Sequence, residues 1–190
     1  MFQVRFHGRG GQGVVTAAEL LSVAAFLEQR HAQAFPSFGS ERMGAPVVSF
    51  CRINDKEIRL REPILEPDAL IVQDPTLLKA IDVFRGLKST GYLLVNSTRG
   101  LSDLHLDAIV KQLPAGHVLA VPASELALKY VGRPLPNAAL LGAFARLTSI
   151  VQFKSVAAAI RDAFGKKIAE ANVAAATAAY DAVVNATVAA

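Results

Sequence analysis

The chain has 190 residues, of which 52% are hydrophobic and 19% charged, and carries a formal net charge of +4. That length suits one domain burying roughly 70% of its unfolded surface, and the scattered basic residues, without a Lys/Arg run or interleaved aromatics, speak against a nucleic-acid binder. There is no run of about 20 uncharged apolar residues for a membrane span and no signal-peptide core ahead of the first strand, so a cytoplasmic protein that does not enter the membrane is expected.

In chain order the periodicity alternates between strand and helix. Residues 2 to 6 read as a short strand, four glycines follow between Gly8 and Gly13, and VVTAAELLSVAAFLEQ, from Val14 to Gln29, has helical length and strong helix formers. Its polar positions Thr16, Glu19 and Ser22 form a narrow stripe, so most of its circumference should be covered. HAQAF reads as a short strand ending at Pro36, and SFGSERMGA, between Pro36 and Pro46, as a loop. PVVSFCRI and EIRLR flank Asn54, Asp55 and Lys56, the pattern of a β-hairpin. After the turn EPILEPD, the strand ALIVQ runs into Asp74-Pro75, where Asp is a helix N-cap and Pro a first helical residue. YLLVN is a strand ending at Asn96, Ser102 or Asp103 caps the next helix, HVLAVPA is a further strand, and from Ser124 the pattern is helical with breaks at 132–137 and Gly165. The expectation is a single α/β domain over 1–190, three-layered, with a mostly parallel central sheet, one antiparallel β-hairpin and a helical C-terminal third.

Cys51 is the single cysteine, which rules out an intramolecular disulfide and a cysteine-held iron–sulfur cluster in this chain alone. His7, His31, His105 and His117 show no close metal-ligand spacing. The mean hydropathy of +0.34 is high for a soluble chain and fits either burial against partner subunits or a generously filled core.

Gly8, Gly10 and Gly13 have the spacing G-x-G-x-x-G between a strand and a helix, where backbone N–H groups and the helix dipole favour an anion. A dinucleotide fold also needs an acidic residue about 20 positions on, at the end of the second strand, to hold the ribose. That neighbourhood is His31 to Pro36 and contains no acid. A nucleotide site and a plain tight turn both remain open on this motif alone.

The second loop adds Ser40, Glu41 and Arg42 between Gly39 and Gly44. Together, HGRGGQGVVTAAELL, FPSFGSERMGAPVVSFCRI, LREPILEPDALIVQDPTLL, YLLVNS, GRPLPNAALLGAFARLT and AEANVAAATAAYD, in that order over nearly the whole chain, resemble the gamma subunit of the 2-oxoacid:acceptor oxidoreductases, the pyruvate:ferredoxin oxidoreductase family. Met43 departs from the pattern, standing where pyruvate-type relatives commonly carry a second arginine, so the 2-oxoacid is left unassigned.

The resemblance implies a subunit of a multisubunit enzyme that oxidatively decarboxylates a 2-oxoacid, usually to an acyl-CoA, carbon dioxide and a reduced acceptor, ferredoxin or, through another subunit, NAD. Alpha and beta subunits would hold thiamine diphosphate and magnesium, and a cysteine-rich delta-type subunit [4Fe-4S] clusters. The gamma chain, inactive by itself and holding no cofactor alone, would help to enclose the active site and the coenzyme A pocket. The candidate binding residues are Gly8, Arg9, Gly10, Gly11, Gln12 and Gly13 of the first loop and Ser40, Glu41 and Arg42 of the second. Arg9 and Arg42 would offer charged donors to a carboxylate or phosphate, or else form interface ion pairs. No residue stands out as a nucleophile or general base. An independent nucleotide-binding oxidoreductase and a purely structural assembly chain are the alternatives.

Overall fold

The computed structural model describes residues 1–37 and 43–188. Its chain order is β1 (Phe2–Arg9), α1 (Val14–Leu27), β2 (His31–Pro36), β3 (Pro46–Asn54), β4 (Ala69–Val72), α2 (Leu77–Ala80), β5 (Tyr92–Asn96), α3 (Asp107–Gln112), β6 (Val118–Val121), α4 (Ala123–Val131), α5 (Asn137–Thr148), α6 (Phe153–Ala163) and α7 (Lys166–Val188). The strands form one sheet in the order β2-β3-β1-β4-β5-β6. β1, β4, β5 and β6 run parallel, while β3 lies antiparallel to both β1 and β2.

The inner parallel strands β4 and β5 are apolar runs because both of their faces are covered. One face packs against the helices: Val4, Phe6, Ile71 and Leu94 meet α1, α5, α6 and α7 in the larger core. On the other face Leu70, Val72, Leu93 and Val95 meet Leu77 and Val83 and the Leu104–Leu113 region around α3. Helix α5 is buried from Asn137 through Ala145, and a Cβ at its Gly142 would collide with the Ala176 carbonyl oxygen of α7. The alanine-rich tail therefore serves a close helix–helix crossing. Helix α1 buries Val14, Ala17, Ala18, Leu20, Leu21, Ala24 and Ala25 as its narrow polar stripe implied, and leaves Phe26 and Leu27 exposed in its last turn.

Several elements differ from the sequence expectation, each for a local reason. β1 continues to Arg9 because β3 pairs with it along its whole length, from Phe2↔Ile53 to Arg9↔Pro46. EIRLR is not a strand: both edges of β3 are occupied, by β1 and β2, so the antiparallel partner next to β3 in the chain is HAQAF before it, and 57–61 cannot fold back on β3 as a hairpin. The helix after Ser102 begins only at Asp107, with the Ser102 hydroxyl donating to Asp107 Oδ1 at 2.8 Å. The C-terminal helices also break at Ser149, whose φ of 52° ends α5.

The polar face of β1 and β3 carries an unusual buried layer. Arg5, His7 and Arg52 are 8%, 5% and 1% exposed, and among the described residues neither arginine is paired with a carboxylate. Backbone carbonyls take their place. Arg5 Nη2 donates to Val83 O (2.9 Å) and Arg85 O (2.6 Å), and Arg52 Nη2 donates to Glu62 O (2.6 Å). Two irregular segments are thereby held over the sheet, which satisfies carbonyls that have no ladder of their own.

His7 Nε2 accepts a hydrogen bond from Arg5 Nε at 3.0 Å, so its ring is neutral. Burial, then the Arg5 charge, lowers its pKa from 6.5 to about 4. Between these values the unfolded chain binds a proton that the folded chain refuses, so stability is full above pH 6.5 and falls as pH drops toward 4. The linkage amounts to about 3 kcal/mol. Urea unfolding across this window should show the decline, and His7→Gln, which keeps an acceptor for Arg5 and removes the titrating group, should flatten it.

Candidate functional site

The carboxyl ends of the parallel strands meet at one edge of the sheet. From β1 the chain passes through α1 on one face toward β2, and from β4 it passes through α2 on the other face toward β5. Adjacent parallel strands whose connections leave on opposite faces open a crevice beyond their carboxyl ends, the usual ligand position of open α/β sheets. The glycine loop occupies this crevice.

Within the loop, each glycine has its own reason. A Cβ at Gly8 would lie 2.6 Å from Val14 Cγ2, and one at Gly13 2.5 Å from Asn137 Nδ2, so both are fixed by packing. Gly13 also caps α1 with φ 71°, in the left-handed region, and its carbonyl accepts from Ala17 N at 2.9 Å. Gly11 is different: its φ is 91°, it is exposed, and a Cβ there would touch only the tip of Met43. Gly10 pairs with the returning loop, its N–H reaching Ala45 O at 2.9 Å and its carbonyl accepting from Gly44 N at 3.2 Å. Among the described residues no side chain caps the first turn of α1. A hollow of about 190 Å³ lies between Arg9, the glycines at 10, 11 and 13, Val47 and that first turn.

The side chains of the loop turn inward. Gln12 Oε1 accepts the Arg9 backbone N–H at 2.8 Å and Gln12 Nε2 donates to Asp74 Oδ2 at 2.9 Å. Arg9 Nε lies 3.2 Å from the same oxygen, while Nη2 donates to Thr76 Oγ1 (2.8 Å) and Nη1 to Gly44 O (3.0 Å). Asp74 Oδ1 accepts from Thr76 N (2.9 Å) and from its hydroxyl (2.6 Å). Partial burial alone would raise the Asp74 pKa, but the Thr76 and Gln12 hydrogen bonds and the Arg9 charge outweigh it and hold the carboxyl below its ordinary value.

Beside this cluster, Asn96 Nδ2 donates to Gln73 O and Ser124 Oγ, both at 2.8 Å, and Asn96 Oδ1 accepts Ser124 N at 3.0 Å, tying the end of β5 to the start of α4. The structure thus joins Gly8 to Gly13 with Asp74, Thr76 and Asn96. Ser40, Glu41 and Arg42 lie outside the described residues. Asp74 was legible only as a helix N-cap, a place the structure gives to Thr76, with α2 beginning at Leu77 instead of Pro75. The position of Asp74 and Thr76 directly after a strand parallel to β1 was the signal for the crevice.

A larger open groove of about 830 Å³ lies at the other end of α1, lined by Phe26, Leu27, Arg30, His31, Glu57 and Ile58 among others. It lacks the glycine backbone and uncapped helix start of the crevice, so the latter is the better candidate. Among the described residues no three His, Cys, Asp or Glu gather as a metal-binding cluster, and no helix is long and apolar enough to cross a membrane. A self-contained dinucleotide site of the usual kind is not built here. The strand beside β1 on the β2 side is the antiparallel β3, where such a fold places a parallel strand ending in an acid.

The family model described as pyruvate ferredoxin/flavodoxin oxidoreductase matches residues 3–182. The chain belongs to that family. It is of the gamma-subunit type: it is 46% identical over 181 residues to the pyruvate/ketoisovalerate oxidoreductases common subunit gamma of Pyrococcus furiosus, covering 95% of this chain and 96% of that one. The pyruvate synthase subunit PorC of Methanocaldococcus jannaschii is likewise 46% identical over 181 residues, with coverage of 95% and 96%. The crystal structure of the pyruvate oxidoreductase subunit PORC of Thermotoga maritima superposes with a TM-score of 0.78 at 34% identity, covering 95% of each chain.

In this gamma-type chain the glycines should separate by experiment. Gly13→Ala, with a blocked Cβ and a left-handed φ, should lower stability by about 2 kcal/mol or more, and Gly11→Ala, with backbone strain and only the movable, exposed tip of Met43 to displace, by about 1 kcal/mol. Denaturant midpoints of the two variants check the order.

Proposed function

We propose that the protein is the gamma subunit of a thiamine-diphosphate-dependent 2-oxoacid:ferredoxin oxidoreductase, and that its glycine loop, Gly8 to Gly13, forms part of the wall around the active site and the coenzyme A pocket. The observation carrying this reading is the loop itself: exposed backbone with a positive φ at Gly11, an uncapped helix start and a hollow, all at the switch point of the sheet in a gamma-type chain. Ser40, Glu41 and Arg42 belong to the same wall in this proposal.

The chain's own residues do not suit the redox groups of such an enzyme. Cys51 is wholly buried in β3 and burial pushes its thiol pKa far up, so it offers no thiolate to a cluster. Those groups, with thiamine diphosphate and its magnesium, belong to alpha, beta and delta-type partners in the proposed complex. Coenzyme A, bound in that complex, would accept the acyl group. An anionic phosphate of it fits the uncapped first turn of α1 and the partly exposed Arg9 guanidinium, which favour negative charge.

What the loop contributes is shape and dryness. Backbone without side chains lets a neighbouring chain or ligand come close, and a closed wall keeps bulk water from a reactive centre, so that electrons pass to the acceptor in preference to a proton being taken up. Ferredoxin, or another acceptor through the complex, takes the electrons in a cytoplasmic setting.

Two measurements test this. Purified from its source, the protein should travel with cluster-bearing subunits and the complex should oxidise a 2-oxoacid with coenzyme A; a panel of 2-oxoacids names the substrate. In the assembled complex Gly11→Val should lower turnover about tenfold or more, beyond what its roughly 1–2 kcal/mol of backbone strain does to unfolding. Wild-type kinetics in an assembled Gly11→Val complex would remove the loop from the active-site wall.

A further inference from the structure

We propose that Asp74 is a positioning residue of the complex: its carboxylate, through Gln12, Arg9 and Thr76, holds the glycine loop in the conformation the reaction uses. The proposal rests on the reading that the loop borders the active site.

The geometry converges on this one group. Oδ2 takes the Gln12 amide and the Arg9 guanidinium, and Oδ1 takes the Thr76 backbone and hydroxyl. Gln12 passes the constraint into the loop backbone, because its other amide atom accepts the Arg9 N–H and its own N–H reaches Arg9 O at 3.1 Å. Arg9 passes it to the returning segment through Gly44 O. Three stretches of chain that share no side-chain core, 9–13, 43–45 and 74–76, are therefore tied to a single carboxylate that is itself set by the parallel pairing of β4 on β1. A loop with four glycines has little stiffness of its own, so the conformation has to come from such outside bonds. Asparagine at this place keeps the shape but has one acceptor oxygen and no charge, and cannot serve Gln12, Arg9 and Thr76 together.

The test uses the assembled complex with Asp74→Ala, Asp74→Asn and Asp74→Glu, read by hydrogen exchange of peptides covering 8–16 and by steady-state kinetics for the 2-oxoacid and coenzyme A. The expected result is faster exchange in 8–16 for Ala and Asn, a KM for coenzyme A raised about tenfold with a smaller change in kcat, and partial recovery of both by Glu, since a misplaced wall loses binding by geometry. Unchanged exchange in Asp74→Ala and Asp74→Asn overturns the proposal whatever the kinetics. Faster exchange with wild-type kinetics also overturns it. Gly11→Val then says whether the loop borders the site at all, since altered kinetics there keep that reading while Asp74 loses its role. If Asp74→Ala fails to assemble, Asp74→Asn decides by the same two readouts.

Discussion

The candidate site depends on strand β1 having an antiparallel neighbour on one side and a parallel neighbour on the other. The antiparallel ladder to β3 brings Pro46, and with it the segment from Met43 to Ala45, against the end of β1. The parallel ladder to β4 brings Gln73 and Asp74 to the same height, with Gln73 N donating to His7 O at 2.7 Å. A glycine loop leaving β1 therefore emerges between two walls that its own residues did not specify. Slip either ladder by one residue and every side chain changes face, so Asp74 would no longer meet Gln12.

The same strand explains why the second face of the sheet is covered as it is. On the helical side β1 presents Val4 and Phe6 to an apolar core; on the other it presents Arg5 and His7. Leaving a guanidinium unpaired in the interior is costly, and the chain offsets that cost with carbonyls of irregular segments that themselves lack ladder partners. Arg5 and Arg52 thus replace a helix layer with a polar clamp. The arrangement binds the loops at 62–64 and 83–85 to the sheet, and the second of these follows directly on α2, which begins beside the site.

Much of this was legible in the sequence where the signal is a run or a spacing. ALIV and YLLV are strands because both faces are apolar, and the glycines mark the turn into α1. The failures share a cause, since they depend on who the neighbours are. EIRLR alternates like a strand, but both edges of β3, the strand it would fold back on, are taken by β1 and β2. Nothing in the strand reading of residues 2 to 6 marks Arg5 or the adjoining His7 as buried, yet both are nearly inaccessible, and Asp74 read as a helix cap while its second oxygen belongs to the loop 62 residues earlier. No local pattern carries a contact at that separation.

At the crevice the exposed Thr76 hydroxyl is already bonded between Asp74 Oδ1 and the Arg9 guanidinium, so what the described residues present there is shape. Arg9 and Gln12, the polar side chains of the loop, already bond to Asp74 and Thr76, which leaves the loop's outward character to backbone, to Gly11 and to Met43, 86% exposed above it. Such a surface offers closeness more than charge, since backbone can be approached where a side chain would stand off, and a flexible thioether yields to several shapes. The Arg9 charge still acts, as a field held near the uncapped start of α1 by its own partner, and not as a free arm reaching for a ligand.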